Sequence, residues 1–190
     1  PVTLARLIRL LPTNLHVLAD CGLPRSLTEQ IMEKRGLMLI VGSTGSGKST
    51  TIAAMLDHRN ELRSGHILTL EDPIEYLFKH RRSIVNQREI GSDTKDFSTA
   101  LRNSMRQAPD CILIGEIRDK ETMAAALAYA QSGHLVLATL HANNSYNPLN
   151  RIISFYPTAN PAALPQHLPS AVTAPDSHRP LRPSAGRTPP

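Results

Sequence analysis

Eight consecutive residues, Gly42-Ser43-Thr44-Gly45-Ser46-Gly47-Lys48-Ser49, satisfy the pattern G-x-x-x-x-G-K-[ST] and constrain this chain more than any other stretch. A phosphate cradle of that pattern works only between a strand and a helix. Both flanks are present: Leu37-Met38-Leu39-Ile40-Val41 reads as a short buried strand, and Thr50 to Leu56 reads as a helix. Gly42, Gly45 and Gly47 allow positive φ and close backbone approach, so successive N–H groups from Ser43, Thr44, Gly45, Ser46, Gly47 and Thr50 can wrap an anion at the positive end of the helix. Lys48 would reach the β- and γ-phosphates, and the Ser49 hydroxyl would ligate Mg²⁺. The competing reading is a glycine-rich turn that binds nothing, and the flanking elements argue against it.

A chain of 190 residues with 41% hydrophobic residues has room for one ordinary domain and its core. No run approaches the ~20 apolar residues of a membrane-spanning helix. The opening Pro1-Val2-Thr3-Leu4-Ala5 has neither methionine nor signal-peptide architecture, which reads as a chain cut from something longer. Cys21 and Cys111 are far apart, and Cys111 begins an apolar strand, so buried free thiols in a cytoplasmic compartment are expected. The net charge is +5, but Arg179, Arg182 and Arg187 against Asp176 place +2 of it in residues 158–190. With 4% aromatics and no tryptophan there is little to build a base-stacking surface, so no nucleic-acid partner is expected. The patch Lys79-His80-Arg81-Arg82 reads as a solvated loop or a protein contact.

Composition divides the chain into residues 1–24, the remnant of a preceding domain and its linker, a core over 25–157, and a tail over 158–190. In the core, strands are expected at 37–41, 66–70, 83–87, 111–115 and 134–140. Helices are expected at 27–34, 48–58, 96–107, 119–131 and 145–155, with a further helix or strand at 4–11. This alternation predicts an α/β fold with a mostly parallel sheet flanked by helices. Nine of the fifteen prolines lie in residues 157–190, where periodicity vanishes, so a disordered proline-rich tail is expected.

Hydrolysis needs more than a phosphate loop, and parallel sheets gather ligands at the carboxyl ends of their strands. Glu71 and Asp72 follow one apolar strand, with Glu75 close behind; Glu116 follows a second, and His141 a third. Each has a bland reading: an acid at a strand end can be a helix cap, and His134 or His141 can be a structural histidine. A histidine metal site competes weakly, because the spacing of His134 and His141 matches no zinc pattern.

Four ordered segments carry a resemblance. Gly42 to Thr50, Leu70-Glu71-Asp72-Pro73-Ile74-Glu75-Tyr76, Ile114-Gly115-Glu116-Ile117-Arg118-Asp119 and Gly133 to His141 resemble the Walker A, Asp box, Walker B and His box of the secretion-superfamily ATPases, the hexameric motors of type IV pili and type II secretion. Asn86-Gln87-Arg88-Glu89 and Arg106-Gln107-Ala108-Pro109-Asp110 resemble the PilT/PilU-type pilus-retraction branch, and His141-Ala142-Asn143-Asn144 its PilU side. The resemblance covers residues 23–157. It implies a RecA-like P-loop core that binds and hydrolyses ATP with Mg²⁺ in twitching motility. Glu71 would polarise the attacking water and Glu116 would hold Mg²⁺ through water, or the two roles would be exchanged. His134 and His141 would sense the γ-phosphate or stabilise the site. The implied partners are further copies in a homo-hexamer, a pilus platform protein and a related retraction ATPase, at the cytoplasmic face of the bacterial inner membrane and touching it only through those partners.

The chain departs from the family at both ends. By that resemblance, the N-terminal domain that would lend arginines across subunits is expected to be represented in this sequence only by its last element, and the proline-rich tail after Tyr156-Pro157 is expected to stand where the family has packed helices, as a frameshift would produce. Two rival readings stand beside this one: a type II secretion or pilus-extension ATPase, which usually carries a paired-cysteine zinc module whereas this sequence has no C-x-x-C pair, and a catalytically weak nucleotide-binding subunit that joins an active motor.

Overall fold

The computed structural model describes residues 24–141 and the backbone of Ala171–Thr173. The expected elements at 4–11 and 145–155, Cys21 and the rest of the tail lie outside the described residues. The order is α1 (Arg25–Gln30), β1 (Gly36–Gly42), α2 (Lys48–Leu62), β2 (Gly65–Glu71), β3 (Ser83–Glu89), α3 (Phe97–Ser104), β4 (Cys111–Ile114), α4 (Lys120–Gln131), β5 (Leu135–His141) and β6 (Ala171–Thr173). The strands stand in the order β3-β2-β4-β5-β1-β6, and every ladder between them is parallel.

Parallel strands need covered crossovers, and both faces of this sheet are buried. On one face Leu37, Leu39 and Val41 of β1 join Ile112, Ile114, Val136 and Leu140 beneath Leu101 of α3 and Met123 and Tyr129 of α4. On the other, Met38 and Ile40 join Ile67, Cys111, Leu113 and Leu137 beneath Leu27 and Ile31 on one side and Ile52, Met55 and Leu56 of α2 on the other. Alternate residues of a strand therefore enter opposite cores, and uninterrupted apolar runs such as 37–41 are the signature. Each such side chain contributes roughly 1.5–3 kcal/mol. Cys111 is a buried free thiol, as expected.

Three elements differ from their sequence patterns. Helix α2 runs four residues past the expected end at 58. Its last turn is held from outside: Arg81 pairs with Asp57 and Glu61, both at 3.0 Å, while the Asn60 side chain donates to Lys79 O and accepts from Arg81 N. The basic patch thus clamps its own core. The first helix stops at Gln30, because Arg59 donates to the carbonyls of Ile31 and Glu33 and Arg63 to that of Met32, drawing those groups out of helical pairing. Helix α3 starts at its Asp96 cap, which accepts from Thr99 N at 2.7 Å, but tightens to a 3-10 turn over Met105–Gln107. Met105 is thereby 54% exposed and drops out of the stripe that Phe97 and Leu101 begin.

Within the stretch expected to be disordered, Ala171–Thr173 forms a strand whose backbone pairs with Leu39, Ile40 and Val41. Main-chain pairing to a free strand edge needs no side-chain pattern, so nothing in that composition announces it.

Candidate functional site

The site lies at the carboxyl edge of the sheet, where register decides which side chains are neighbours. Gly42 pairs with His141, Leu70 with Ile114, and Ile114 with Ala138. The last residues of β1, β2 and β5 and the residues just beyond β4 therefore end side by side. Glu71, Glu116 and His141 are distant in sequence, but they and the phosphate loop share one edge.

The loop takes the shape its glycines permit. Gly45 and Gly47 have φ of 79° and 88°, a region that costs other residues dearly. Gly42 serves differently: a Cβ there would sit 2.7 Å from Ser46 Oγ, which itself donates to Ser43 O at 2.9 Å. Lys48 opens α2 and is buried, its Nζ donating to Gly42 O at 2.9 Å and Ser43 O at 2.6 Å. Burial pulls its pKa down, against the opposing pull of Glu116 and Glu75. The free N–H groups and dipole at the start of α2 add positive potential at the same place.

A cavity of about 200 Å³ separates this loop from the strand ends. Thr44, Gly45, Lys48 and Ser49 line one wall; Glu71, Asp72, Glu75, Gly115, Glu116, Thr139 and His141 line the other, with Tyr76 and Phe78 at the side. Ser43, Ser46 and Gly47 shape the loop rather than the cavity wall. Thr50 is turned to Tyr76, their hydroxyl oxygens 2.9 Å apart, which ties the start of α2 to the segment after β2.

The two glutamates meet different environments. Glu71 is 8% exposed, and burial raises its pKa, opposed by hydrogen bonds from Thr69, Gln87 and the Glu75 backbone. Glu116 is paired at 2.7 Å with Arg118, which also reaches Asp72 at 3.2 Å, and His141 Nε2 lies 3.4 Å from its other oxygen. The hydrogen bond to Glu116 is the main cause of the raised Arg118 pKa. Gly115 lets the two acids approach. A Cβ there would lie 3.1 Å from Leu70 O and 3.2 Å from Glu71 Cα, and its N–H donates to Leu70 O at 2.8 Å.

His134 does not join them, which corrects the expectation that both histidines serve one site. It stands just before β5, whereas His141 ends that strand, roughly 20 Å away at ~3.3 Å per residue. Its Nδ1 lies 3.0 Å from Ser132 Oγ, and its ring meets Tyr129 edge-on at 5.8 Å. Among the described residues, no group of three or more His, Cys, Asp or Glu could hold a metal ion, so a histidine metal site finds no support there.

Sequence reasoning gave no role to Thr69, Gln87, Arg118 or Thr139. Thr69 was findable, because two residues before Glu71 on a strand is the same face. Gln87 was not, because its place beside Thr69 follows only from the β2–β3 register.

Residues 15–174 match the family described as Type II/IV secretion system protein. The chain is 53% identical over 150 residues to the type IV pilus ATPase PilU of Pseudomonas aeruginosa, covering 79% of this chain and 39% of that one. To the PilT retraction ATPase of the same organism it is 44% identical over 154 residues, covering 81% and 45%. A crystal structure of the pilus retraction motor PilT with bound ADP superposes with a TM-score of 0.73 at 48% identity, covering 84% of this chain and 45% of that one. The chain therefore spans less than half the length of these relatives.

Proposed function

The chain belongs to the type II/IV secretion system protein family, and from that premise we propose that residues 25–157 are the ATP-binding and ATP-hydrolysing motor domain of a type IV pilus retraction ATPase. One observation carries the reading: Lys48 and Ser49 face Glu71, Glu116 and His141 across a single cavity. The PilU- and PilT-like relatives favour the retraction branch.

The loop N–H groups and Lys48 bind and orient the phosphates, and His141 meets the terminal phosphoryl group. Glu71 accepts the proton of the attacking water, because a carboxyl whose pKa is raised by burial is the better matched base near neutral pH. Glu116, paired with Arg118 and beside His141, would serve the cation. Ser49 and Glu116 offer the hard oxygen donors that suit Mg²⁺ and would hold it, Glu116 through water. Bound there, Mg²⁺ offsets the negative charge on the phosphate oxygens. The natural setting we propose is a homo-oligomeric ring at the cytoplasmic face of the inner membrane, engaging a pilus platform protein and a related retraction ATPase.

Binding of a fluorescent ATP analogue with Mg²⁺ tests the core of this. Lys48→Ala should weaken it at least tenfold; undiminished binding would contradict the proposal. Phosphate release should fall roughly 10²–10⁴-fold in Glu71→Gln with binding retained, the usual cost of losing a positioned base.

A further inference from the structure

Next to Glu71, the edge strand β3 contributes one side chain with three polar contacts. Gln87 Oε1 accepts from Phe78 N at 2.9 Å, while Nε2 donates to Tyr76 O at 2.7 Å and to Glu71 Oε1 at 3.3 Å. The amide cannot be turned over, because a backbone N–H faces one end and a carbonyl oxygen the other. Thr69, which stands opposite Gln87 in the β2–β3 register, donates its hydroxyl to the same Oε1 at 2.6 Å. Both side-chain hydrogen bonds thus fall on one oxygen of Glu71, and Oε2 takes neither; the Glu75 backbone N–H is the further donor to this carboxylate.

We propose that Gln87 is a positioning residue for hydrolysis: by gripping the segment that follows β2 and Oε1 of Glu71 together, it presents Oε2 to the attacking water. The proposal deepens the ATPase reading above and rests on it. Two consequences follow. The wall formed by Tyr76 and Phe78 and the orientation of the base are set by one amide, so a shift of that segment turns the carboxylate with it. The amide also donates to the ionised form of Glu71 and so favours it, against burial and the nearby negative charge of Glu75. The other charged or titratable groups around the cavity are Lys48 of α2, Asp72, Tyr76, Glu116 and His141, with Glu89 the register partner of Glu71 on β3.

The test compares Gln87→Leu and Gln87→Glu with the parent in the full chain. Gln87→Leu removes both donors at similar volume, and Gln87→Glu keeps the acceptor for Phe78 N while placing a like charge beside the base. The readouts are the pH dependence of kcat and the ¹³C titration of the Glu71 carboxyl, its resonance identified by its loss in Glu71→Gln. Both variants should keep KM for ATP within about twofold and lose roughly tenfold in kcat at neutral pH. The acid limb of the profile and the carboxyl midpoint should move to higher pH. A Glu71 midpoint unmoved in Gln87→Leu overturns the proposal, as does a loss of kcat with an unshifted profile. Absence of phosphate release from the parent chain would instead count against the ATPase reading, and the carboxyl titration would still decide whether Gln87 holds the Glu71 carboxylate.

Discussion

Glu71 is placed for chemistry at the expense of stability. Burial raises its pKa, so the folded chain holds this proton more tightly than the unfolded chain does. Wherever the folded state binds more protons, stability falls as pH rises. The loss begins at the ordinary carboxyl value of 4.5 and is complete above the folded value. A glutamine cannot ionise and escapes it, while its side-chain oxygen can still accept from Thr69 and Gln87. Glu71→Gln should therefore unfold at a higher urea concentration than the parent at pH 8, with the difference closing as pH falls below 4.5. A variant that gains stability as it loses hydrolysis would mark this carboxylate as one retained for function.

Arg59 shows how one element depends on another. It is 1% exposed in the last turn of α2, and its guanidinium supplies donors to the chain leaving α1. Arg59→Leu would keep much of the packing but strand those carbonyls, and should lower the unfolding free energy by roughly 2–3 kcal/mol in denaturant titrations. The sequence hides this dependence for a physical reason. Strands β1, β2, β4 and β5 were legible because each carries apolar residues on both faces, whereas the edge strand β3 is polar and half exposed, and the phosphate loop was legible because its chemistry demands particular residues in order. The end of α2 at His58-Arg59-Asn60-Glu61-Leu62 has no apolar period, since partners distant in sequence hold it. Likewise Glu71, Glu116 and His141 were legible as strand-end residues, but the exclusion of His134 required knowing which end of β5 faces the loop. The strand at Ala171–Thr173 had no signal, because backbone pairing to a strand edge needs no side-chain pattern.

For the molecule as a whole, the site and the core are one object. The loop springs from β1, which pairs with β5 on one side and β6 on the other, and α2 behind the loop carries part of one core. Nucleotide at about a hundred times its Kd should therefore stabilise the entire fold by roughly 2.7 kcal/mol. At about 2–4 °C per kcal/mol for a chain of this size, Tm should rise by roughly 5–10 °C with MgATP in a thermal melt. The rise should vanish in Lys48→Ala. Gly115 carries a mechanical corollary. With no side chain to hold them apart, the backbones that bear Glu71 and Glu116 are riveted together, and neither acid can travel without the other. Any opening of the cleft must then run along the seam between that unit and α2, where the Thr50–Tyr76 hydroxyl contact is the clasp that has to give.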